Sequence, residues 1–468
     1  MLSTSLSPHL AASANPFTYT PLTFSPEMVR QMHEDTVQTV MEHHEDFHAP
    51  QDFTRDSGKL NLDNLTQFTY SLASSNLGIH ITRFCYENQI PEFSNSSLSE
   101  ARSNLSYKYF EEMFELDRDK LIQNGFFSQH RFKYPRLAID GVTFHLEPFN
   151  KEECDRVKTK AKDRPRYGCH AVTTYDVDNR MYQDVCIQRM GDKNERAGAL
   201  ELASRCSTQS ILIMDRGFHS FKLEYELNKM GHYYLIRLKE KDFYSLLGIP
   251  KEYDIDSEID ITVNRVLTTK YPKRYRGDAL HHRYCGKDKS FLDENGECKM
   301  TFRLVKIEVP APVDDEDQGK YQYFITNIPY EELSIDDIKL IYGSRWLVET
   351  SYLELKYYVG KLAIHARKMN SIYQEIYAAL DLYNLSNAVI QYCELHRPEP
   401  KRNLKYKYRL NRKYAFEICR DFFNYKILDE DYLIQRILKH KTPIKPTRYF
   451  KRRTIRKADS NQHRLSGQ

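Results

Sequence analysis

The sequence predicts an α/β protein in which a mixed sheet carries helices on its faces. Between about residues 133 and 239, segments with strand and helix character follow in the order strand-strand-strand-helix-strand-helix-strand. The apolar run from Ile211 to Met214 is typical of a buried strand. A mostly β segment and a further helical segment come next along the chain. This order predicts a mixed sheet flanked by helices.

Composition indicates a globular, soluble chain of several domains. The 468 residues are 40% hydrophobic and 29% charged, a length for which about two to four domains are expected. No apolar stretch approaches the ~18 residues of a membrane span, and the N-terminus lacks the pattern of a signal peptide. The nine cysteines form no CxxC pair, as expected of free thiols in a reducing compartment. We therefore expect a cytoplasmic protein without membrane contact.

The N-terminal part is predicted to be flexible first and then helical. Residues 1–25 are rich in Ser, Thr and Pro, and a helix is expected to begin at Pro26. Within residues 26–130, the segment SNSSLSEARSNLSYKYFEEMFE has Ser and Asn as caps before each helical run, so we predict a helical domain here. That this domain binds DNA is a hypothesis from its place in the chain. A helix-turn-helix is possible here, although capped helix pairs are common in any helical domain.

The core is predicted in two parts separated by an insertion. The first part, residues 131–239, begins with the strand YPRLAIDGVTFHLE, which can bend at Asp140-Gly141, and continues with two strands joined at Asp176–Asn179. Residues 240–320 combine short strand candidates with charged, turn-rich stretches and are interpreted as a β-rich insertion. The second part, residues 321–395, has one strand, then a pair of helices over IDDIKLIYG and from Ser344 to about Tyr358, and a further helix over about Ser371 to Leu395. Residues 396–468 form a basic C-terminal region.

Charge is distributed unevenly along the chain. The net charge is only +4, but residues 397–468 hold 21 Lys and Arg against seven Asp and Glu. A basic C-terminal part on an acidic body favours contact with a polyanion such as nucleic acid. The alternative is a solvated tail without a dedicated role.

Four residues of the last third are predicted to share one face of a single helix. Tyr342, Arg345, Glu349 and Lys356 are spaced by 3, 4 and 7 residues, which places them within an arc of roughly 60°. One carboxylate beside two cations and a phenol can grip a metal-bound phosphate. The alternative for Glu349 is an ordinary surface ion pair with Arg345.

Two further acids each follow an apolar, strand-like run. Asp140 ends the run Leu137 to Ile139, and Asp215 ends the run Ile211 to Met214. Taken singly, Asp140-Gly141 can be a hairpin turn and Asp215 a helix cap or turn residue. Taken together with Glu349, they supply three carboxylates from three elements, which is a suitable ligand set for two Mg²⁺ ions in phosphoryl transfer.

These motifs carry a family resemblance. The chain resembles bacterial insertion-sequence transposases of the DDE type, in the group with the signature Y-x2-R-x3-E-x6-K. Tyr342, Arg345, Glu349 and Lys356 match that signature position for position. The segments IDG and IMDRGF resemble the blocks of the first and second acid, and similar text covers roughly residues 95–395.

The resemblance implies an RNase H-like catalytic core with Asp140, Asp215 and Glu349 as catalytic metal ligands for two Mg²⁺ ions, for which Mn²⁺ can substitute. It implies that Tyr342, Arg345 and Lys356 bind DNA. It further implies cut-and-paste transposition through a hairpin, with double-stranded DNA bearing terminal inverted repeats, target DNA, and a homodimer in the DNA complex. Some members flip a base onto an aromatic residue of the insertion, but the single tryptophan here, Trp346, lies on the signature helix and is interpreted as core packing.

Two other functions remain open at this stage. A domesticated relative would bind DNA without moving it, and a nuclease of the same fold would cut without strand transfer. The presence of all three acids and all four signature residues favours an active transposase.

Overall fold

The computed structural model describes twelve segments of the chain. They are residues 24–48, 60–73, 76–126, 132–146, 156–157, 166–249, 256–269, 281–286, 288–309, 320–359, 364–399 and 405–445. The predicted flexible N-terminus, apart from its last two residues, and the basic run 446–457 lie outside these segments. Within them, every helix is too short or too polar to cross a bilayer.

Five helices precede the sheet, as the capped segments predict. They are α1 (Pro26–Glu42), α2 (Leu62–Ser71), α3 (Leu77–Glu87), α4 (Asn95–Asn104) and α5 (Lys108–Gln123). The side chain of Ser25 accepts a hydrogen bond from the Met28 amide at 3.4 Å and so caps α1, whose first residue is a proline. Asn61, Asn76 and Ser94 cap the next three helices in the same way.

The predicted alternation of strands and helices is confirmed for the first part of the core. Its strands are β1 (Arg136–Leu146), β2 (Arg156–Val157), β3 (Arg166–Asp176), β4 (Met181–Arg189), β5 (Ile211–Met214) and β6 (Tyr233–Leu238). Helices α6 (Glu195–Arg205) and α7 (Phe221–Met230) flank β5 in sequence. The second helix ends before Gly231, whose φ of 79° is the left-handed conformation that favours glycine.

The segment predicted as an insertion extends the same sheet. It contains α8 (Glu240–Leu247), β7 (Ile259–Thr268), β8 (His282–Tyr284) and β9 (Glu297–Glu308), and is followed by β10 (Tyr321–Thr326). The strand order is β2-β3-β1-β5-β6-β10-β9-β7-β8, and β4 also pairs with β3. β1, β5 and β6 are parallel to one another, whereas β3, β4, β9 and β10 join by antiparallel pairing.

The strand predicted for YPRLAIDGVTFHLE is confirmed, but the interpretation of Asp140 as an acid at a strand end is wrong. β1 continues without a turn from Arg136 to Leu146, and Asp140 pairs with Thr173 of β3 in the middle of it. The hairpin alternative fails for the same reason. Pairing with β3 along ten residues keeps the strand extended through Gly141, which removes the local preference of Asp-Gly for a turn.

The prediction of a single helix for the four signature residues is also wrong. Tyr342 belongs to α9 (Ile335–Ser344), whereas Glu349 and Lys356 belong to α10 (Trp346–Tyr357). Arg345 stands at the junction with helical dihedral angles, and its amide bonds to the carbonyl of Tyr342 rather than to that of Ile341. This tighter turn separates two helices that nevertheless follow each other closely.

A long central helix and a small C-terminal unit complete the fold. Twenty of the 27 residues of α11 (Met369–Leu395) are buried, so this helix is enclosed on nearly all sides. The C-terminal unit comprises β11 (Lys407–Leu410), α12 (Arg412–Phe423), α13 (Glu430–Lys439) and β12 (Lys441–Ile444), and its two strands pair with each other.

The sheet separates two hydrophobic cores. Because side chains alternate along a strand, Ala138 and Val142 of β1 face one core while Leu137 and Ile139 face the other. The first core also contains the N-terminal helices, α9 to α13 and the enclosed α11. The second contains α6, α7, α8 and much of the insertion. The N-terminal helices therefore share a core with the second half of the chain.

Candidate active site

Asp140 projects from the middle of β1 on the side of the sheet that packs against α10. Its side chain is 21% exposed, and the adjacent Gly141 amide donates a hydrogen bond to Asp140 Oδ1 at 2.9 Å. β5 pairs with β1 only from Arg136 to Ala138, so β1 lacks a parallel neighbour at Asp140. The Asp140 carboxylate therefore lies just beyond the point where β1 and β5 stop pairing.

Asp215 lies beside Asp140 by the register of the two parallel strands. Ala138 pairs with Ile213, and continuing this register by two residues brings Asp140 level with Asp215, which directly follows β5. The Asp215 side chain also accepts a hydrogen bond from the Gly217 amide, as the turn alternative predicts. This turn is compatible with a role of Asp215 as a metal ligand, because the turn uses only one oxygen of the carboxylate.

Glu349 reaches the same place from α10 through Arg345. Arg345 Nη2 donates to Glu349 Oε1 at 2.6 Å, and Arg345 Nη1 lies 3.9 Å from Asp140 Oδ2. The ion pair is therefore present, but it is not the exposed surface pair of the alternative, because the Arg345 side chain is only 6% exposed. One buried guanidinium contacts carboxylates from two different elements.

The three acids influence one another electrostatically. Burial raises the pKa of Asp140 to about 6; Arg345 and the Gly141 amide oppose this rise, while the negative charges of Glu349 and Asp215 add to it. Glu349 and Asp215 are thus near enough to disfavour the charged form of Asp140. A site that gathers three carboxylates in this way favours a bound cation.

Tyr342 lies at the same site without contacting the acids by a hydrogen bond. Its ring packs edge-on against Phe324 with centroids 4.7 Å apart, and its buried hydroxyl has no hydrogen-bond partner among the described residues. The Arg345 guanidinium carbon lies 5.7 Å from the centre of the Tyr342 ring. Burial, opposed by Arg345, raises the pKa of Tyr342, so its hydroxyl remains a neutral donor.

Lys356 is held against β1. Its Nζ donates to the carbonyl of Thr143 at 3.1 Å, three residues beyond Asp140, and burial lowers its pKa. Trp346, expected in the core, is only half-buried; the Arg345 guanidinium carbon lies 5.5 Å from the centre of its ring. The structure thus gathers Asp140, Arg345 and Glu349 around one point. The ammonium group of Lys356, from α10, contacts β1 further along that strand, at Thr143.

Two residues that the sequence did not indicate support the first acid. The Tyr352 hydroxyl donates to the backbone carbonyl of Asp140 at 2.8 Å and lies 2.7 Å from Thr173 Oγ1 on β3. Tyr352 follows Glu349 by three residues, so it shares a helix face with that acid. Helical spacing alone could have suggested Tyr352, but Thr173 could be found only from the strand register.

A separate cluster of possible metal ligands lies in the helical region. Within the described part of the chain, His33, Asp117 and Asp381 offer ligand atoms that all lie within 4.8 Å of one another. The three predicted acids do not form a group this compact here. The Arg345 guanidinium contacts both Asp140 and Glu349 and occupies space between them.

The arrangement of strand-borne and helix-borne carboxylates beside a buried arginine is suited to chemistry on phosphodiesters. A family model described as “Transposase DDE domain” matches residues 131–385, more than half of the chain. The chain therefore belongs to the DDE transposase family. The matched range includes Asp140, Asp215 and Glu349.

Other comparisons are more distant. The chain is similar to a solved structure titled “Cryo-EM structure of piggyBac transposase synaptic complex with hairpin DNA (SNHP)”, at 11% sequence identity and a TM-score of 0.43. That similarity covers 90% of this chain and 86% of the other. No curated protein matches.

Proposed function

We propose that this chain is a cut-and-paste DNA transposase of the bacterial insertion-sequence group with the Y-x2-R-x3-E-x6-K signature. Its substrates would be the terminal inverted repeats of its own element and a double-stranded target. The observation that carries this proposal is the contact of both Asp140 and Glu349 with the buried Arg345, beside a register that aligns Asp215 with Asp140.

The proposed metal ligands are Asp140, Asp215 and Glu349. The donor set fits a hard dication, because carboxylate oxygens are the ligands that Mg²⁺ prefers. Burial chiefly, and then the negative charges of Glu349 and Asp215, raise the pKa of Asp140, and a nearby dication would favour its charged form. When bound, two Mg²⁺ ions, for which Mn²⁺ can substitute, would supply activation of a water or 3′-hydroxyl and stabilisation of the leaving oxygen.

The strand arrangement supports an RNase H-like core. β3 and β4 lie on the antiparallel side of β1, and β5 and β6 lie on its parallel side. The first acid sits on the central strand and the second follows the neighbouring parallel strand. Parallel strands of an open sheet place their functional groups at such an edge.

The proposed DNA contacts beside the acids are Tyr342, Arg345 and Lys356. Two nitrogens of Arg345, Nη1 and Nε, are buried without a hydrogen-bond partner among the described residues, so they can donate to phosphate oxygens. The Tyr342 hydroxyl is likewise a buried donor that can serve a phosphate. Lys356 would have to exchange its bond to the Thr143 carbonyl for a phosphate.

The wider interaction with DNA is also part of the proposal. Specific end recognition is assigned to residues 26–130, and non-specific phosphate contact to the basic residues 396–468. The exposed positions of α4 are mainly Ser and Asn, and its cation Arg102 is buried, so base reading there would depend on neutral side chains. We further propose a homodimer in the DNA complex and a location in the cytoplasm on the nucleoid.

Single substitutions of the acids test the proposal. Asp140→Asn, Asp215→Asn and Glu349→Gln preserve size while removing a charged metal ligand, so each is expected to lower end cleavage by at least ~1000-fold in Mg²⁺. Binding to end DNA should remain within about threefold of wild type. Cleavage is measured on a labelled terminal repeat, and binding by gel shift in Ca²⁺.

The matched control is Asp336→Asn. Asp336 is 91% exposed at the start of α9 and should not affect cleavage. Normal cleavage by any acid variant, under conditions where the control is also active, would remove that residue from the triad. A wild-type protein that cuts ends but yields no joined product would favour the nuclease, and one that binds ends without cutting would favour the domesticated relative.

A further inference from the structure

Four polar side chains meet in the interior of the helical region, away from the candidate active site. His33 comes from α1, Tyr70 from α2, Asp117 from α5 and Asp381 from the enclosed helix α11. Both aspartates are 0% exposed, and His33 and Tyr70 are 8% and 6% exposed. The cluster therefore links three N-terminal helices to the helix that follows the signature in the chain.

The contacts within this cluster are short. His33 Nδ1 lies 2.5 Å from Asp117 Oδ2 and 4.0 Å from Asp381 Oδ2. The Tyr70 hydroxyl donates to Asp381 Oδ2 at 2.5 Å. The rings of Tyr70 and Phe423 pack around the imidazole, with centroids 5.0 Å and 6.2 Å from it. One nitrogen and two carboxylates thus point at one small, enclosed volume.

These contacts leave part of the cluster unsatisfied. Asp117 Oδ1 and Asp381 Oδ1 are buried and have no hydrogen-bond partner among the described residues. Two buried carboxylates face a single imidazole, and within the described residues neither forms an ion pair with Lys or Arg. Burial, and then the charge of Asp117, raise the pKa of Asp381, so the two carboxyls cannot both be charged here unless a cation compensates them.

We propose that this cluster is a structural site for a transition-metal dication, with Zn²⁺ as the reference ion. His33 Nδ1 and one oxygen each from Asp117 and Asp381 are the ligands, and the Tyr70 hydroxyl orients Asp381. A dication balances the two carboxylate charges, and an imidazole ligand favours Zn²⁺ over Mg²⁺. This site does not depend on the proposed transposition activity.

The dimensions are compatible with this assignment. Zn²⁺ binds nitrogen and oxygen at about 2.0–2.2 Å, so its donor atoms stand roughly 3–4 Å apart. The 4.0 Å separation of His33 and Asp381 already fits, and the 2.5 Å contact of His33 and Asp117 has to open by about an ångström. The cation then replaces the proton shared across that contact, which leaves to solvent.

The test uses the full-length protein, stripped of metal by chelation and dialysed. Zn²⁺ is titrated by calorimetry in the presence of saturating Mg²⁺, which keeps the acids of the candidate active site occupied. We expect one Zn²⁺ per chain and a rise in melting temperature on binding. Asp381→Asn and His33→Gln should each weaken binding by about 100-fold or more and abolish that rise.

Two control variants separate this site from others. His43→Gln removes an imidazole whose one ion-pair partner among the described residues is Glu112, at 2.9 Å, and this variant should bind Zn²⁺ as wild type does. Asp140→Asn should also retain the Zn²⁺, because its carboxylate belongs to the other site.

Each outcome decides the question. Wild-type protein that takes up no Zn²⁺ overturns the site and indicates that the two carboxyls share a proton instead. Folded Asp381→Asn and His33→Gln variants that bind Zn²⁺ normally overturn the ligand set. If circular dichroism shows that both variants fail to fold, the number of Zn²⁺ ions bound per chain is compared between wild type, His43→Gln and Asp140→Asn. One ion in all three supports the site, and loss of the ion in either control overturns it.

Discussion

At Arg345, one guanidinium contacts two of the three predicted acids. Its neighbours on both sides of the helix junction are Tyr342 and Trp346, whose rings lie against its charged group. Arg345 Nε and Nη1 form no hydrogen bond among the described residues. The guanidinium can therefore attract both carboxylates and also donate hydrogen bonds to a phosphate. Lysine could not replace it fully, because a single ammonium group cannot face two carboxylates and a phosphate in fixed directions.

Lys356 gives the residue-scale prediction. Lys356→Met keeps most of the aliphatic stem but removes the charge, so we expect affinity for end DNA to fall by about tenfold, the value of one charge-assisted contact. Fluorescence anisotropy with a labelled terminal repeat measures this loss. Metal binding at the acids should be unchanged.

Lys339→Met provides the matched control for this loss. Lys339 lies on the neighbouring helix α9 and is not assigned to DNA; its Nζ is 2.9 Å from Oε1 of Glu258, the residue before β7. Equal affinity of Lys356→Met and wild type would reject the phosphate-binding role of Lys356. A comparable loss in the control would attribute the effect to net charge alone.

Among the elements, α10 is fixed on its far side by the C-terminal unit. Arg412 of α12 makes two hydrogen bonds to the Glu354 carboxylate, one of them at 2.8 Å, and Tyr383 donates to the same group at 2.9 Å. Burial opposes the charged form of Glu354, but Arg412 outweighs it and lowers the pKa of this carboxyl. The helix α10, which carries Glu349, is thus attached through Glu354 to α12 and α11.

Removing Arg412 tests this attachment. Arg412→Ala leaves Glu354 charged and unpaired in the interior, so the free energy of unfolding should fall by about 3–5 kcal/mol. The double variant Arg412→Met/Glu354→Leu should recover most of this loss, because an apolar pair needs no compensation. Urea denaturation followed by tyrosine fluorescence and circular dichroism gives both values.

An exposed pair serves as the control for the buried one. Arg205 and Glu201 of α6 are 45% and 49% exposed, and Arg205→Ala should cost less than about 1 kcal/mol. If Arg412→Ala costs no more than this control, the buried pair does not fix α10.

At the scale of the whole molecule, the N-terminal helices and the family-matched region share one hydrophobic core. Arg102 of α4 is 3% exposed and contacts Glu375 of α11 at 2.7 Å, and residues of α1, α2 and α5 share a hydrophobic core with α11. Residues 26–130 were interpreted as a separate domain, a boundary that stays a proposal. A shared core of this extent indicates that the later part depends on the earlier one.

Truncation tests this dependence. A fragment of residues 131–468 exposes the apolar face of α11 and leaves Glu375 without Arg102, so it should be insoluble or aggregate on size-exclusion chromatography. Deleting residues 446–468, which lie outside the described residues, should leave the unfolding transition in place. A soluble 131–468 fragment with cooperative unfolding would show that the two regions fold independently.

Much of the element pattern was predictable because it depends on local signals. Caps such as Ser94 and the apolar run of β5 each act over a few residues, and the helix and the strand that they predict are confirmed. The strand through Asp140 was predicted, but the interpretation of Asp140 as a strand-end acid was wrong, because a turn preference was weighed without the long pairing with β3. The pair of helices that meets near Ser344 was also predicted, whereas placing all four signature residues on one of these helices was wrong.

The sequence by itself determined the alternation of strands and helices. It also supplied the three candidate acids and the signature that indicates a DDE transposase, because these depend only on residue type and spacing. Only the tertiary structure decided that Arg345 lies between Asp140 and Glu349, that Tyr352 supports the first acid, and that His33, Asp117 and Asp381 meet. These contacts join residues separated by tens to hundreds of positions. They depend on which faces pack together, and no local pattern specifies that.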